Sequence, residues 1–170
     1  MLTQKTRALI AVAIISAASL IPGTARAEHT RVTNPSAIGI EVLGRGVAYS
    51  LFFDRVLSDD LVAGIGYGSA SMDVAPNSAQ LIPVYFNYYL ARDQASLYLT
   101  AGATVVANSG DVKGDKTSIA GLEIKDGVIP TVGLGYENRS DAGYLFRIAG
   151  YALIGGSVKP WAGFSLGYSF

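Results

Sequence analysis

Catalysis by acid–base or nucleophilic routes calls for a histidine held near a serine or a carboxylate. This chain has one histidine, His29, close to its start. With no second histidine and no cysteine, the donors of a zinc site are also missing from the sequence. The adjacent Asp59 and Asp60, and the pair Asp111 and Asp115, read as solvated turn carboxylates and not as a cation site. "GIGYG", from Gly64 to Gly68, carries glycines at alternate positions, but no helix signal follows it. A phosphate-cradling loop needs that helix. Asn138-Arg139-Ser140 has the form of a glycosylation acceptor, yet falls in an expected tight turn. The chemistry therefore reduces to a few charged side chains, Glu41, Asp54, Glu137 and Arg147, each embedded in an apolar stretch. The sequence implies no enzyme, no cofactor and no metal, and its even charge balance lacks the clustered basic face that nucleic acid requires.

The elements that hold those charges follow from periodicity. Lys5 and Arg7, an apolar run from Ala8 to Ile21, and Ala25 and Ala27 at A-x-A spacing make residues 1–27 a cleavable secretory signal. Cleavage after Ala27 leaves 143 of the 170 residues, with ten basic against thirteen acidic side chains. That length suits one domain. A short segment, residues 28–36, precedes a region, 37–170, that alternates with a period of two.

Eight alternating segments can be counted. They start at "SAIGIEVL", "VAYSLFFD", "LVAGIGYG" and "LIPVYFNYYL", and continue through "LYLTAGATVV", "VIPTVGLGYE", "GYLFRIAGYALI" and "GFSLGYSF". One face carries Ile38, Leu51, Ile65, Phe86, Leu99, Leu134, Ile148 and Leu166; the other is glycine- and serine-rich. A soluble antiparallel sheet puts its charges outside and its bulk inside. Here Glu41, Asp54, Glu137 and Arg147 all take the parity of the small residues. Most segments approach the roughly 9–11 residues of a membrane-crossing strand. Short polar turns at Asp59, Asp93 and Asp141 alternate with longer links at 73–79 and 108–126, as in an up-and-down barrel. Two other links, "GRG" around Arg45 and "GGSVK", are short. Pro83 and Pro130 remove ladder donors and are expected at a rim or a bulge.

The expected fold is all-β: an eight-stranded antiparallel up-and-down transmembrane barrel. Such a barrel is just wide enough for side chains to fill it. The glycines then make room for lumen tyrosines at 85, 89, 98 and 151. Glu41, Asp54 and Arg147 are expected to form a charge cluster across the lumen, since an unpaired interior charge is costly. Tyr67, Tyr136 and Trp161 are expected as interface anchors.

A signal peptide, eight alternating strands and a terminal aromatic resemble the small outer-membrane β-barrel proteins of the OmpA/OmpX type, over Ala37 to Phe170. The most specific part of the likeness is the closing "LGYSF". The resemblance implies that Leu166, Tyr168 and Phe170 form the signal read by the outer-membrane assembly machinery. It also implies a bacterial outer-membrane location, contact with membrane lipid and lipopolysaccharide, and a monomer. The function expected is non-enzymatic, structural or surface-interacting. An external loop carrying Asp111, Lys113, Asp115 and Lys116, within 108–126, would meet an extracellular partner. The alternatives are a small outer-membrane pore, or a soluble periplasmic lipocalin-like carrier.

Overall fold

The computed structural model describes residues 30–69, 79–108, 117–119, 122–124, 127–155 and 157–170. The expected signal peptide, the link at 73–78 and the charged loop residues Asp111, Lys113, Asp115 and Lys116 lie outside them. After a four-residue helix, α1 (Thr30–Thr33), the chain forms β1 (Ser36–Leu43), a 3₁₀ turn (Gly44–Gly46), β2 (Tyr49–Ser58), β3 (Leu61–Ser69), β4 (Ala79–Tyr89) and β5 (Ala95–Asn108). Two short strands follow, β6 (Thr117–Ile119) and β7 (Leu122–Ile124), then β8 (Gly127–Arg139), β9 (Tyr144–Gly155) and β10 (Ser157–Ser169).

Every barrel strand pairs antiparallel with its neighbours, and β1 pairs with β10 to close the sheet in the order β1-β10-β9-β8-β5-β4-β3-β2. The strands β6 and β7 form a separate two-stranded sheet. The seam is double-locked at one end, where Ser36 and Phe170 exchange backbone hydrogen bonds of 3.0 and 2.8 Å. That end, the proximal one, also holds the turns near Asp59, Asp93 and Asp141. The opposite, distal end holds the 3₁₀ turn.

Alternation decides which side chains meet the core. Successive strand residues point to opposite faces. Ile38, Leu51, Phe86, Leu99, Leu134, Ile148 and Leu166 lie on the outer wall and are each half-exposed or more. Tyr85, Tyr89, Tyr98 and Tyr151 are buried in the lumen, as are Glu41, Asp54, Glu137 and Arg147. The glycines are cut to fit the rings. A Cβ on Gly64 would sit 2.5 Å from the Tyr85 hydroxyl, and one on Gly135 would sit 2.5 Å from that of Tyr98. Overfilling such a site typically costs about 1–3 kcal/mol. Gly135→Ala should therefore lower the unfolding free energy by that order, whereas Gly150→Ala should leave it unchanged. A Cβ on Gly150 meets nothing within 4 Å. Urea titration of both variants checks this.

The prolines are placed by their missing N–H groups. Pro130 pairs with Ala103 on β5, but the β8–β9 ladder begins only at Thr131, so it sits near the distal rim. Pro83 corrects the expectation. It lies in the interior of β4 at no bulge, and the β3–β4 ladder skips from Val84 to Leu81 across it. A local gap in one ladder accommodates it, on a strand still paired with β5. The register shift of β2–β3 comes instead between Val56 and Ser58, beside the turn.

Candidate functional site

The lumen holds two groups of charges, stacked along the barrel. In the proximal group, β2 supplies Asp54, β8 supplies Glu137 and Arg139, β9 supplies Arg147, and α1 supplies Arg31. All five side chains are at most 2% exposed. Arg147 bonds the Asp54 carboxylate at 2.7 Å and the Glu137 carboxylate at 2.5 Å. Arg139 lies 3.2 Å from Glu137 and 3.6 Å from Asp54. Tyr89 donates its hydroxyl to Glu137 at 2.5 Å, and Tyr85 donates to Asp54 at 3.4 Å. Glu137 is the hub, touched by three guanidinium groups.

Arg31 closes the proximal mouth. Its guanidinium lies 4.0 Å above the Tyr89 ring and 3.4 Å from Glu137. It also donates to the backbone carbonyls of Ala91 and Asp93, at 3.1 and 2.7 Å, in the β4–β5 turn. A helix of one turn cannot hold itself together in water. Docking of this side chain is what gives α1 a fixed place.

The distal group centres on Arg45. Its guanidinium donates to Glu41 at 3.1 Å, to Asn87 Oδ1 at 3.0 Å and to Thr100 Oγ1 at 2.9 Å. The rings of Tyr85 and Tyr151 lie 3.8 and 5.0 Å from it. Tyr151 donates its hydroxyl to Glu41 at 2.8 Å, and Thr104 donates to the Arg45 carbonyl at 3.0 Å.

The expected cluster of Glu41, Asp54 and Arg147 is divided between the two groups. Asp54 and Arg147 meet, but Glu41 does not join them. It lies four residues before Arg45 and is taken by that side chain at the other end of the lumen. Three participants were not read from the sequence. The sequence reading places Arg139 in a turn, although continuing the β8 alternation by two residues from Glu137 puts it inward. Arg45 falls in a short link, where parity assigns no face, and Arg31 precedes every strand.

Trp161 is a second correction. It pairs with Tyr151 in the β9–β10 ladder and shares its inward parity. Its ring packs against the lumen cluster and is no anchor on the outer wall. Tyr67 and Tyr136 do lie on the wall, and so do Leu166, Tyr168 and Phe170. At the proximal rim, Asp59 and Asp60 belong to an ion-pair girdle. Arg92 grips Asp60 through two bonds of 2.9 Å and approaches Asp59 at 3.0 Å. These contacts, led by the hydrogen bond to Asp60, hold the Arg92 guanidinium above its usual pKa. Gln94 donates to Asp141 at 2.6 Å, so three neighbouring turns are tied together.

No protein-family model matches the sequence, and comparison with curated proteins finds no match. Solved structures do match. The fold is similar to the N-terminal β-barrel domain of Pseudomonas aeruginosa OprF, with a TM-score of 0.57, 15% identity, and coverage of 79% of this chain and 94% of that one. It is also similar to the Yersinia pestis outer membrane protein Ail in a phospholipid bilayer nanodisc, with a TM-score of 0.47, 11% identity, and coverage of 79% and 97%. By its own pairing and by its likeness to the OprF domain, the chain is an eight-stranded antiparallel up-and-down β-barrel.

Proposed function

We propose that this chain is a bacterial outer-membrane protein whose lumen is closed to solutes, acting without catalysis as a structural or surface-interaction barrel. The observation that carries the reading is the inverted distribution of polarity. The outer wall presents half-exposed Ile38, Leu51, Phe86, Leu99, Leu134 and Leu166, while the strand carboxylates Glu41, Asp54 and Glu137 are turned into the lumen. Water offers such a wall nothing; hydrocarbon matches it. A closed sheet also leaves no unpaired backbone edge, which is the condition for strands to stand in lipid. A lipocalin-like carrier would need the opposite faces. Against a pore stand the buried tyrosines and the two ion-paired groups in the lumen.

Under this reading the wall contacts lipid and lipopolysaccharide, and the protein is a monomer. Leu166, Tyr168 and Phe170 present the face that the assembly machinery reads. The distal segment 108–126, with Asp111, Lys113, Asp115 and Lys116, reaches an extracellular partner, and residues 1–27 direct export.

The test is fractionation with a functional arm. The protein should be recovered with outer membranes, and its folded band should migrate differently from its boiled band on a detergent gel. In planar bilayers it should show no steady conductance. Recovery as a soluble periplasmic protein would sink the location, and a reproducible open channel would replace the closed-lumen reading with a small pore.

A further inference from the structure

The β1–β2 link is built in a way that merely joining two strands does not require. Ladder pairing stops at Val42 and Tyr49, leaving six residues to turn the chain. All but Leu43, which is exposed, turn into the lumen, where Gly44, Arg45, Gly46 and Val47 are all buried. The inward path forces two non-glycine residues into left-handed backbone, one on each side of the 3₁₀ turn. Leu43 has φ 58° and ψ −136°, and Val47 has φ 63° and ψ −65°. The Val47 angles, with Ala48 N–H bonded to the Gly46 carbonyl at 2.8 Å, describe a γ-turn of the rare, strained hand. A β-branched residue there is especially unfavourable. Strain of this kind persists only where surrounding contacts over-determine it.

Those contacts converge on one side chain. Arg45 is the sole charged residue of the link. It reaches a carboxylate, an amide oxygen and a hydroxyl, and lies over two phenol rings. The partners come from β1, β4, β5 and β9, so the box that receives the guanidinium is part of the wall and not of the link. Carboxylate, neutral acceptors and facing aromatic rings are the recognition chemistry of an organic cation.

We propose that Leu43–Val47 is a sprung lid over the distal lumen, with Arg45 as its latch, occupying as an internal ligand a site for guanidinium-type organic cations. Strain at the two flanking residues drives the lid outward, and the bonds of Arg45 hold it in. The two terms oppose each other, which makes the element bistable. Lifting it uncovers Glu41, Asn87 and Thr100 to the distal side. The inner charge group stays in place, so an open lid exposes a dead-end pocket and not a through-channel.

The absence of cysteine gives a background-free test on purified, folded protein in detergent. Ser50 lies fully buried directly under the lid, since a Cβ on Gly46 would come 2.6 Å from its Cβ. Ser50→Cys should react slowly with a bulky maleimide. Adding Arg45→Gln, or Arg45→Lys if the first variant folds poorly, should speed labelling by about tenfold or more through the shift toward the open form. Ser96→Cys, at the proximal end, should stay protected in the same backgrounds, which distinguishes a lid from general unfolding. Val47→Gly removes strain from the closed form and should slow labelling in the Arg45→Gln background. With Arg45 in place, millimolar methylguanidinium should compete with it for the box and speed labelling of Ser50→Cys, where sodium chloride at equal strength does not. A reporter equally protected with and without Arg45, or one that Val47→Gly exposes, overturns the lid. Absence of acceleration by methylguanidinium overturns the cation site.

Discussion

Glu137→Gln should be the most destabilising single substitution in the lumen. The variant keeps the shape of the side chain and removes the charge that faces Arg31, Arg139 and Arg147. Arg139 and Arg147 would then share Asp54, and Arg31 would lose the carboxylate it faces. Breaking a buried ion pair from one side typically costs about 3–5 kcal/mol, because the remaining charge stays desolvated without its partner. Glu41→Gln should cost less, since Arg45 keeps Asn87, Thr100 and two aromatic rings. Urea unfolding of protein refolded into vesicles, read by the gel shift, measures both. A double-mutant cycle localises the effect. Arg147→Leu and Glu137→Gln should be strongly coupled, whereas Arg147→Leu and Glu41→Gln should add to within about 0.5 kcal/mol. Equal losses for the two carboxylates, or coupling of Arg147 to Glu41, would contradict the two-group arrangement.

The second large effect belongs to the wall. Leu134 is half-exposed near the middle of β8, and Val158 lies near the distal end of β10. In a bilayer, Leu134→Arg should cost about 2–4 kcal/mol, and Val158→Arg about 0–1 kcal/mol, because the penalty falls with distance from the midplane. A water-facing wall would show neither the cost nor the gradient, and the arginine would improve solubility. Vesicle stability of the two variants, compared side by side, decides between hydrocarbon and water.

What could be read from the sequence was what depends on strand parity. Phe164, Leu166, Tyr168 and Phe170 alternate with Gly163, Ser165, Gly167 and Ser169. An extended chain converts that alternation into two faces with no further information. The same rule turned Asp54 and Arg147 inward and placed the lumen tyrosines over glycines. Parity is silent where the chain leaves the sheet. Arg45 sits in a link whose inward path depends on groups far along the sequence, Asn87, Thr100 and Tyr151. Arg31 docks on a turn about 60 residues later. Trp161 was misplaced for a different reason. An indole suits a membrane interface by composition, but its strand register assigns it to the face of Tyr151, and register outranks preference.

The ion pairs of Asp54 connect strands that are not neighbours in the sheet. Asp54 on β2 meets Arg147 on β9, with β1 and β10 between them. In a sheet not yet rolled up these side chains are far apart, and each keeps its own hydration. Rolling brings Asp54 to Arg139 and Arg147, along with the pairing of Ser36 to Phe170. Closure of the seam and the pairing of Asp54 are therefore a single event. Folding should accordingly be all-or-none, with a late transition state and no half-zipped barrel at equilibrium. The charged core acts as a coincidence detector for the correct strand register. A slip by one residue at the seam would turn the β1 or β10 side chains outward and carry Asp54 away from Arg139 and Arg147.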